Sequence, residues 1–156
     1  MTRDILTKLY AVNHAAVHTN LKGVTHEDSL LRPKANGNCL NWVLGHIVAT
    51  RNQILKLAGA KAIWSDEQVA PYARGAKASH DGRDLETLGK VLADFDESQE
   101  ILLTVLPLLT DADLARTSPD DKTVADRLFF LHFHEAYHIG QIGLLRRIIG
   151  LEGSIK

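Results

Sequence analysis

One helical seam in the second half of the chain, apolar at every position except Gln99, constrains the fold more than any other feature. Within residues 85–109 the side chains of one face recur in alternating steps of three and four, at Leu85, Leu88, Leu92, Phe95, Gln99, Leu102, Leu106 and Leu109. This spacing is typical of one face of an α-helix. Such a face must be buried against other helices, because the chain shows no alternating strand pattern that could supply a sheet. Pro107 is expected to end or kink this helix in its last turn.

Three further segments have the same helical periodicity, at residues 3–21, 39–58 and 124–149. Asn38 is expected to cap the second of these helices, and Thr123 with Asp126 resembles a capping box before the last. The last segment is apolar on nearly all sides, which predicts that it lies at the centre of the packing.

Four long helices favour an all-α fold, a four-helix bundle with long crossover loops. The two crossovers are residues 60–84, with one short helix expected from Ser65, and residues 110–122. A chain of 156 residues fits one domain, so we expect a single helical-bundle domain over residues 1–156.

The composition bounds the partners and the compartment. The formal net charge is -1, without the basic excess that nucleic acid or an anionic membrane would favour. No run approaches the 18 or so apolar residues that span a bilayer. Cys39 is the single cysteine, which excludes an internal disulfide and suits a reducing cytoplasm. We therefore expect a cytoplasmic protein that binds neither nucleic acid nor a membrane.

The sequence HEAYH at residues 134–138 matches the H-E-x-x-H pattern of zinc metalloproteases. In a helix, His134 and His138 lie on one face and can share one metal ion. The protease interpretation fails because one protease class needs glycine and a third histidine where this chain has Gln141 and Leu144. Other proteases of this kind place a carboxylate on a later helix, and too little of the chain follows His138 to supply one.

A di-iron centre is also disfavoured. Glu135 and His138 form the E-x-x-H pair of such bundles, but no other histidine has a glutamate three residues before it. The third ligand is therefore expected from another helix, where His46 flanks the apolar stripe of residues 39–58. Two independent surface histidines and one hydrogen-bonded core histidine remain the alternatives.

A second pair, His14 and His18, has the same spacing as the first. At about 100° per residue these side chains project roughly 120–160° from the centre of the first helix's apolar stripe. We expect both histidines to face solvent.

The motif LNWVLGHIV around His46, followed some 85 residues later by HEAYHIGQIGLLRR, resembles the DinB/YfiT-like family of metal-dependent enzymes. The resemblance implies a four-helix bundle in which His46, His134 and His138 bind one divalent metal. Zinc or nickel is the first expectation, with iron or manganese as further candidates. Relatives include bacillithiol S-transferases and mycothiol-dependent maleylpyruvate isomerases, and family members are often dimers, so a homodimer is also expected.

Three neutral histidines would leave open positions on the metal, as in a catalytic site. The expected function is a low-molecular-weight-thiol S-transferase or a related hydrolase or isomerase, acting on a small molecule. The alternative is a non-catalytic metal-binding or stress-related small-molecule-binding bundle.

Five further residues are candidates around the metal. Gln141 is expected to orient an imidazole, and Glu135 to accept an imidazole N–H or act as a base. Asn13 and Gln99 are polar side chains in apolar sectors and are expected to line the pocket. Arg127, on the same face as His134 and about 10 Å away, is expected to hold an anionic substrate.

Overall fold

The computed structural model describes residues 2–34, 37–76, 82–118 and 120–155. Within these ranges the four long helices are α1 (Thr2–Leu21), α3 (Leu40–Leu57), α5 (Leu88–Val105) and α7 (Val124–Ile148). Three short helices lie in the connections, namely α2 (His26–Leu30) between α1 and α3, and α4 (Asp66–Val69) and α6 (Asp111–Ala115) in the two crossovers. The described part of the chain contains no β-strand, only an isolated bridge between Thr117 and Thr123. The predicted all-α fold is confirmed.

The four long helices form a closed square. α1 and α3 lie diagonally opposite, and α5 and α7 each pack against both. α1 runs parallel to α7, because the Tyr10 hydroxyl donates to the Leu128 carbonyl near one end and Arg146 donates to the Asn20 carbonyl near the other. α3 runs antiparallel to α7, because Val43 near its start shares a groove with Ile148 and Leu57 at its end shares another with Val124.

The helix boundaries follow local chemistry. Thr123 and Asp126 form the predicted capping box of α7, and Ser65 caps the expected short helix. Two details of the prediction were wrong. Cys39, not Asn38, occupies the N-cap position of α3, without a side-chain hydrogen bond. α5 begins after Thr87 rather than at residue 85, since the Thr87 hydroxyl accepts the Lys90 N–H.

A buried ion pair lies inside the bundle and joins α3 to α7. Arg51 on α3 is 0% exposed and Glu135 on α7 is 1% exposed. Arg51 Nε and Nη2 donate to the two carboxylate oxygens of Glu135 at 2.9 and 2.8 Å. Arg51 Nη1 also donates to Ser98 Oγ, and the guanidinium lies 3.8 Å over the Phe95 ring. These contacts satisfy both charges. Without them, burial would cost several kcal/mol per ion.

The prediction that α7 lies at the centre of the packing was wrong. One of its faces is buried against α1 and α3, but the other carries exposed large apolar residues: Phe129, Phe130, Phe133, Tyr137, Leu144 and Ile148. The all-round apolarity of this helix therefore reflects a second apolar surface. Among the described residues no helix combines the length and the apolarity that crossing a membrane requires.

Candidate metal centre

Three histidines from two antiparallel helices converge on one point. His46 of α3 and His134 and His138 of α7 offer ligand atoms that all lie within 4.8 Å of one another. The Nε2 atoms of His134 and His138 are 3.1 Å apart. The His46 ring lies 5.2 Å from the His134 ring and 4.8 Å from the His138 ring, between centroids. All three histidines are partly buried and partly exposed.

Contacts with α3 and with the first crossover hold His46 in place. His46 Nδ1 lies 2.7 Å from the Tyr72 carbonyl, so it carries the proton and donates it. The Trp42 ring stacks on the imidazole at 4.9 Å and 7°, and Trp42 Nε1 donates to the Pro71 carbonyl. This fixes the tautomer and turns the Nε2 lone pair of His46 towards α7.

Gly45 lets this arrangement form. A Cβ at this position would overlap the Tyr72 ring, so only glycine allows the ring to lie directly on α3. The close approach brings the Tyr72 carbonyl within reach of His46. The G-H dipeptide of the sequence motif thus has a steric basis.

A side chain of α7 orients His138 in a similar way. His138 Nδ1 lies 2.7 Å from Gln141 Oε1 and must donate to it, which leaves Nε2 as a lone pair. Gln141 Nε2 in turn donates to the Tyr137 hydroxyl. Gln141 thus lies where an imidazole-orienting residue was expected, and its catalytic role stays a prediction.

The imidazoles of the α7 pair are poor bases in this environment. Burial, followed by the nearby His138 and His46, lowers the pKa of His134 to about 4. Burial likewise lowers the pKa of His138, although the bond to Gln141 opposes the shift. Both are therefore neutral near pH 7, which is the protonation state that binds a metal.

The donor set fits a divalent cation. Nitrogens bound at about 2.0–2.1 Å to one ion lie roughly 3.0–3.4 Å apart, and the Nε2 atoms of the α7 pair already have this separation. His134 Nδ1 is buried without a partner among the described residues, so no hydrogen bond there orients this imidazole as Tyr72 and Gln141 orient the other two. Imidazole ligands suit zinc, nickel, iron and copper.

The structure pairs Glu135 with Arg51 rather than with an imidazole, and its expected catalytic role stays a prediction. Both of its carboxylate oxygens accept hydrogen bonds from Arg51, and the side chain is 1% exposed. It points into the bundle because one helical step rotates it about 100° from His134. Its partner Arg51 was missed, although a charge four residues after Ile47 on an apolar stripe signals a buried pair.

The structure places two of the predicted pocket residues elsewhere. Gln99 lies on α5, diagonally opposite α7, in a groove with the other histidine pair. Arg127 lies in a separate groove of about 550 Å³, whose lining includes none of the three histidines. Its Nη1 is 3.3 Å from Asp120, which offsets the charge expected to hold an anionic substrate. Asn13 is buried, and its role in lining the metal pocket stays a prediction.

The pair on α1 is not simply solvent-facing, so that prediction was wrong in part. His14 keeps 28% of its side chain exposed and stacks on Phe95 at 5.2 Å. His18 is exposed, but its Nε2, like that of His14, contacts Asp96 of α5. The helical-wheel argument failed because it omitted α5, which borders this side of α1.

Of the residues around the three histidines that were missed, Trp42 had a sequence signal and Tyr72 did not. Trp42 precedes His46 by four residues and therefore shares its face of α3. Tyr72 acts through its backbone carbonyl from a crossover loop, a contact that no side-chain pattern encodes.

Comparison with known proteins agrees with this geometry. No curated protein matches the chain. The family model described as the DinB superfamily matches residues 9–142, a range that includes all three converging histidines and most of the chain. With the helical bundle and the sequence motifs already described, this match confirms the resemblance: the chain belongs to the DinB superfamily.

Proposed function

We propose that this protein is a metal-dependent enzyme that joins a low-molecular-weight thiol to an electrophilic small molecule, or a related hydrolase or isomerase. The observation that carries the proposal is the convergence of three partly exposed histidines, His46, His134 and His138, on one point. Three neutral ligands leave coordination positions for a substrate, whereas structural zinc sites are closed by four protein ligands.

A divalent ion held there would lower the pKa of a bound thiol or water and so supply a nucleophile near neutral pH. The protein's own part is to keep the imidazoles neutral and aligned. Tyr72 and Gln141 accept the Nδ1 protons of His46 and His138, which keeps both Nε2 atoms directed at the ion. A neutral ligand set also leaves the full charge of the ion to polarise the thiol.

A groove that Gln141 lines, although none of the three histidines does, is the proposed place for a small apolar substrate. It encloses about 300 Å³ and is lined by apolar side chains that include Val43, Leu144, Leu145 and Ile148. This volume is at the small end of the range for small-molecule sites. The nearby Tyr137 hydroxyl accepts a hydrogen bond from Gln141 and keeps its own proton free to donate to a leaving group.

One observation favours the alternative, a non-catalytic metal-binding or small-molecule-binding bundle. Glu135 is fully engaged by Arg51, so the carboxylate closest in sequence to the metal ligands cannot act as a base. A thiol transferase does not need such a base if the metal already holds the thiol as thiolate. A hydrolase or an isomerase needs a general base more often than a thiol transferase does.

The test is thiol-conjugation activity of metal-loaded protein. Untagged protein loaded with zinc or nickel is incubated with a panel of low-molecular-weight thiols and monochlorobimane, and the fluorescent conjugate is followed. We expect turnover that is lost in His46→Ala, His134→Ala and His138→Ala and kept in the matched control His14→Ala. Stoichiometric metal with no turnover across the panel would favour the non-catalytic alternative.

The other expectations about partners and compartment remain predictions. A cytoplasmic location, no nucleic-acid partner and a homodimer all belong to this group. The exposed apolar face of α7 is the surface that a second copy would cover. Light scattering of wild type and Phe133→Ser measures whether the molar mass in solution depends on this face.

A further inference from the structure

We propose that His14, His18 and Asp96 form a second divalent-metal site, which joins α1 to α5. The three ligand atoms lie within 4.8 Å of one another, as at the first site. His14 Nε2 and His18 Nε2 lie 2.7 and 2.6 Å from the same carboxylate oxygen, Asp96 Oδ1. Nothing in the family match or in the sequence motif assigns this cluster.

The geometry of this hydrogen-bonded cluster is close to that of a metal-bound set. Both imidazoles converge on one oxygen of Asp96, although the carboxylate has a second oxygen that could take one of them. Ligands bound at about 2.0–2.2 Å lie roughly 3 Å apart, so an opening of about half an ångström admits the ion. The stacking of His14 on Phe95 holds one ligand in place before the ion arrives.

A second observation comes from Gln99. It is 4% exposed and lines the same groove of about 400 Å³, and both of its amide atoms lack a partner among the described residues. Gln99 follows Asp96 by three residues and so shares its face of α5. A buried amide without partners is costly. A water molecule on the bound cation would be a suitable partner for it.

The ligand types limit the cation. Two imidazoles and one carboxylate select first-row divalent metals such as zinc, cobalt, nickel and iron over magnesium and calcium, which prefer oxygen ligands. Asp96 and His18 are 41% exposed, so water completes the coordination sphere. Because its ligands come from α1 and α5, the ion would stabilise the folded state against unfolding.

The test is the number of metal equivalents bound, measured by calorimetric titration of metal-free protein with zinc. We expect two equivalents for wild type, one for His134→Ala/His138→Ala, and one for His18→Ala. His18 is exposed, so its replacement leaves the core untouched and remains informative if the double variant fails to fold. Asp96→Asn is expected to lose the same equivalent, whereas Glu97→Gln, which removes the same charge one residue further on, keeps it.

Three results would overturn the second site. They are an unchanged stoichiometry in His18→Ala, loss of binding in Glu97→Gln to the same extent as in Asp96→Asn, or no zinc bound by a folded His134→Ala/His138→Ala variant. If the first site binds nothing, wild type still binds one equivalent that depends on His18. The two sites can therefore fail independently.

Discussion

Two histidine pairs with the same spacing occupy parallel helices of this bundle and face different neighbours. The pair on α7 meets His46 of α3, and together they make an all-nitrogen set. The pair on α1 meets Asp96 of α5, which makes a mixed set with a negative charge. Identical H-x-x-x-H spacing therefore supplies two of the three candidate ligands of each site, and the neighbouring helix supplies the third, which decides its chemistry.

The surroundings of the two pairs differ as much as their third ligands. Around the α7 pair, Tyr72 and Gln141 fix the tautomers of His46 and His138. Around the α1 pair the only buried amide, among the described residues that line its groove, is Gln99, which has no partner. We infer that the first site is preorganised for tight binding and the second is completed by the ion itself.

The largest expected effect concerns Glu135, which the sequence attaches to the α7 pair and the structure assigns to the core. Glu135→Gln leaves the Arg51 guanidinium buried without a counter-charge and should lower the free energy of unfolding by about 3–5 kcal/mol. Urea unfolding measures this change. The double variant Arg51→Met/Glu135→Leu should recover most of the loss. A fully stable Glu135→Gln protein that has lost activity would instead make Glu135 catalytic.

The next effect separates the two pairs directly. His134→Ala should lower the affinity for the more tightly bound zinc ion by more than about 100-fold. Removal of a residue that only hydrogen-bonds a metal ligand already lowers metal affinity about 10–100-fold, and this variant loses the ligand itself. His14→Ala should leave that affinity unchanged. Competition with a chelator of known affinity measures both variants. Equal losses in the two variants would remove the distinction between the sites.

A smaller effect tests the side chains that hydrogen-bond the candidate metal ligands. Gln141→Ala frees His138 to rotate and should weaken the tighter equivalent by about 10–100-fold. The matched change Gln99→Ala should leave the tighter equivalent as it is, since Gln99 lies on the helix diagonally opposite. The same chelator competition applies, and a loss in Gln99→Ala comparable to that in Gln141→Ala would contradict the assignment.

The smallest effect is the response of the metal-free protein to acid. The pKa of His134 is lowered from 6.5 to about 4, so the unfolded chain binds a proton between these values that the folded chain does not. This contribution to stability is complete above about pH 6.5 and is lost as the pH falls towards 4. Urea midpoints at pH 7 and pH 4.5 should differ less in His134→Ala than in wild type. The same difference in both proteins would contradict this origin.

Sequence periodicity predicted the four long helices because each must bury one apolar face. The residue types at Thr123 and Asp126 predicted the capping box, because a cap depends only on neighbouring residues. Periodicity within one helix could not reveal which element lies opposite. For that reason Asp96 was missed as the partner of His14 and His18, and Arg51 was missed as the partner of Glu135. The Tyr72 carbonyl belongs to a crossover loop, whose path depends on the whole packed bundle.

The central claim is that His46, His134 and His138 hold one divalent metal. Its most direct test is anomalous scattering from crystals of zinc-loaded protein, recorded on both sides of the zinc edge. We predict a zinc peak about 2.0–2.1 Å from the Nε2 atoms of all three histidines. Crystals grown with saturating zinc that show no anomalous peak between these residues would contradict the account.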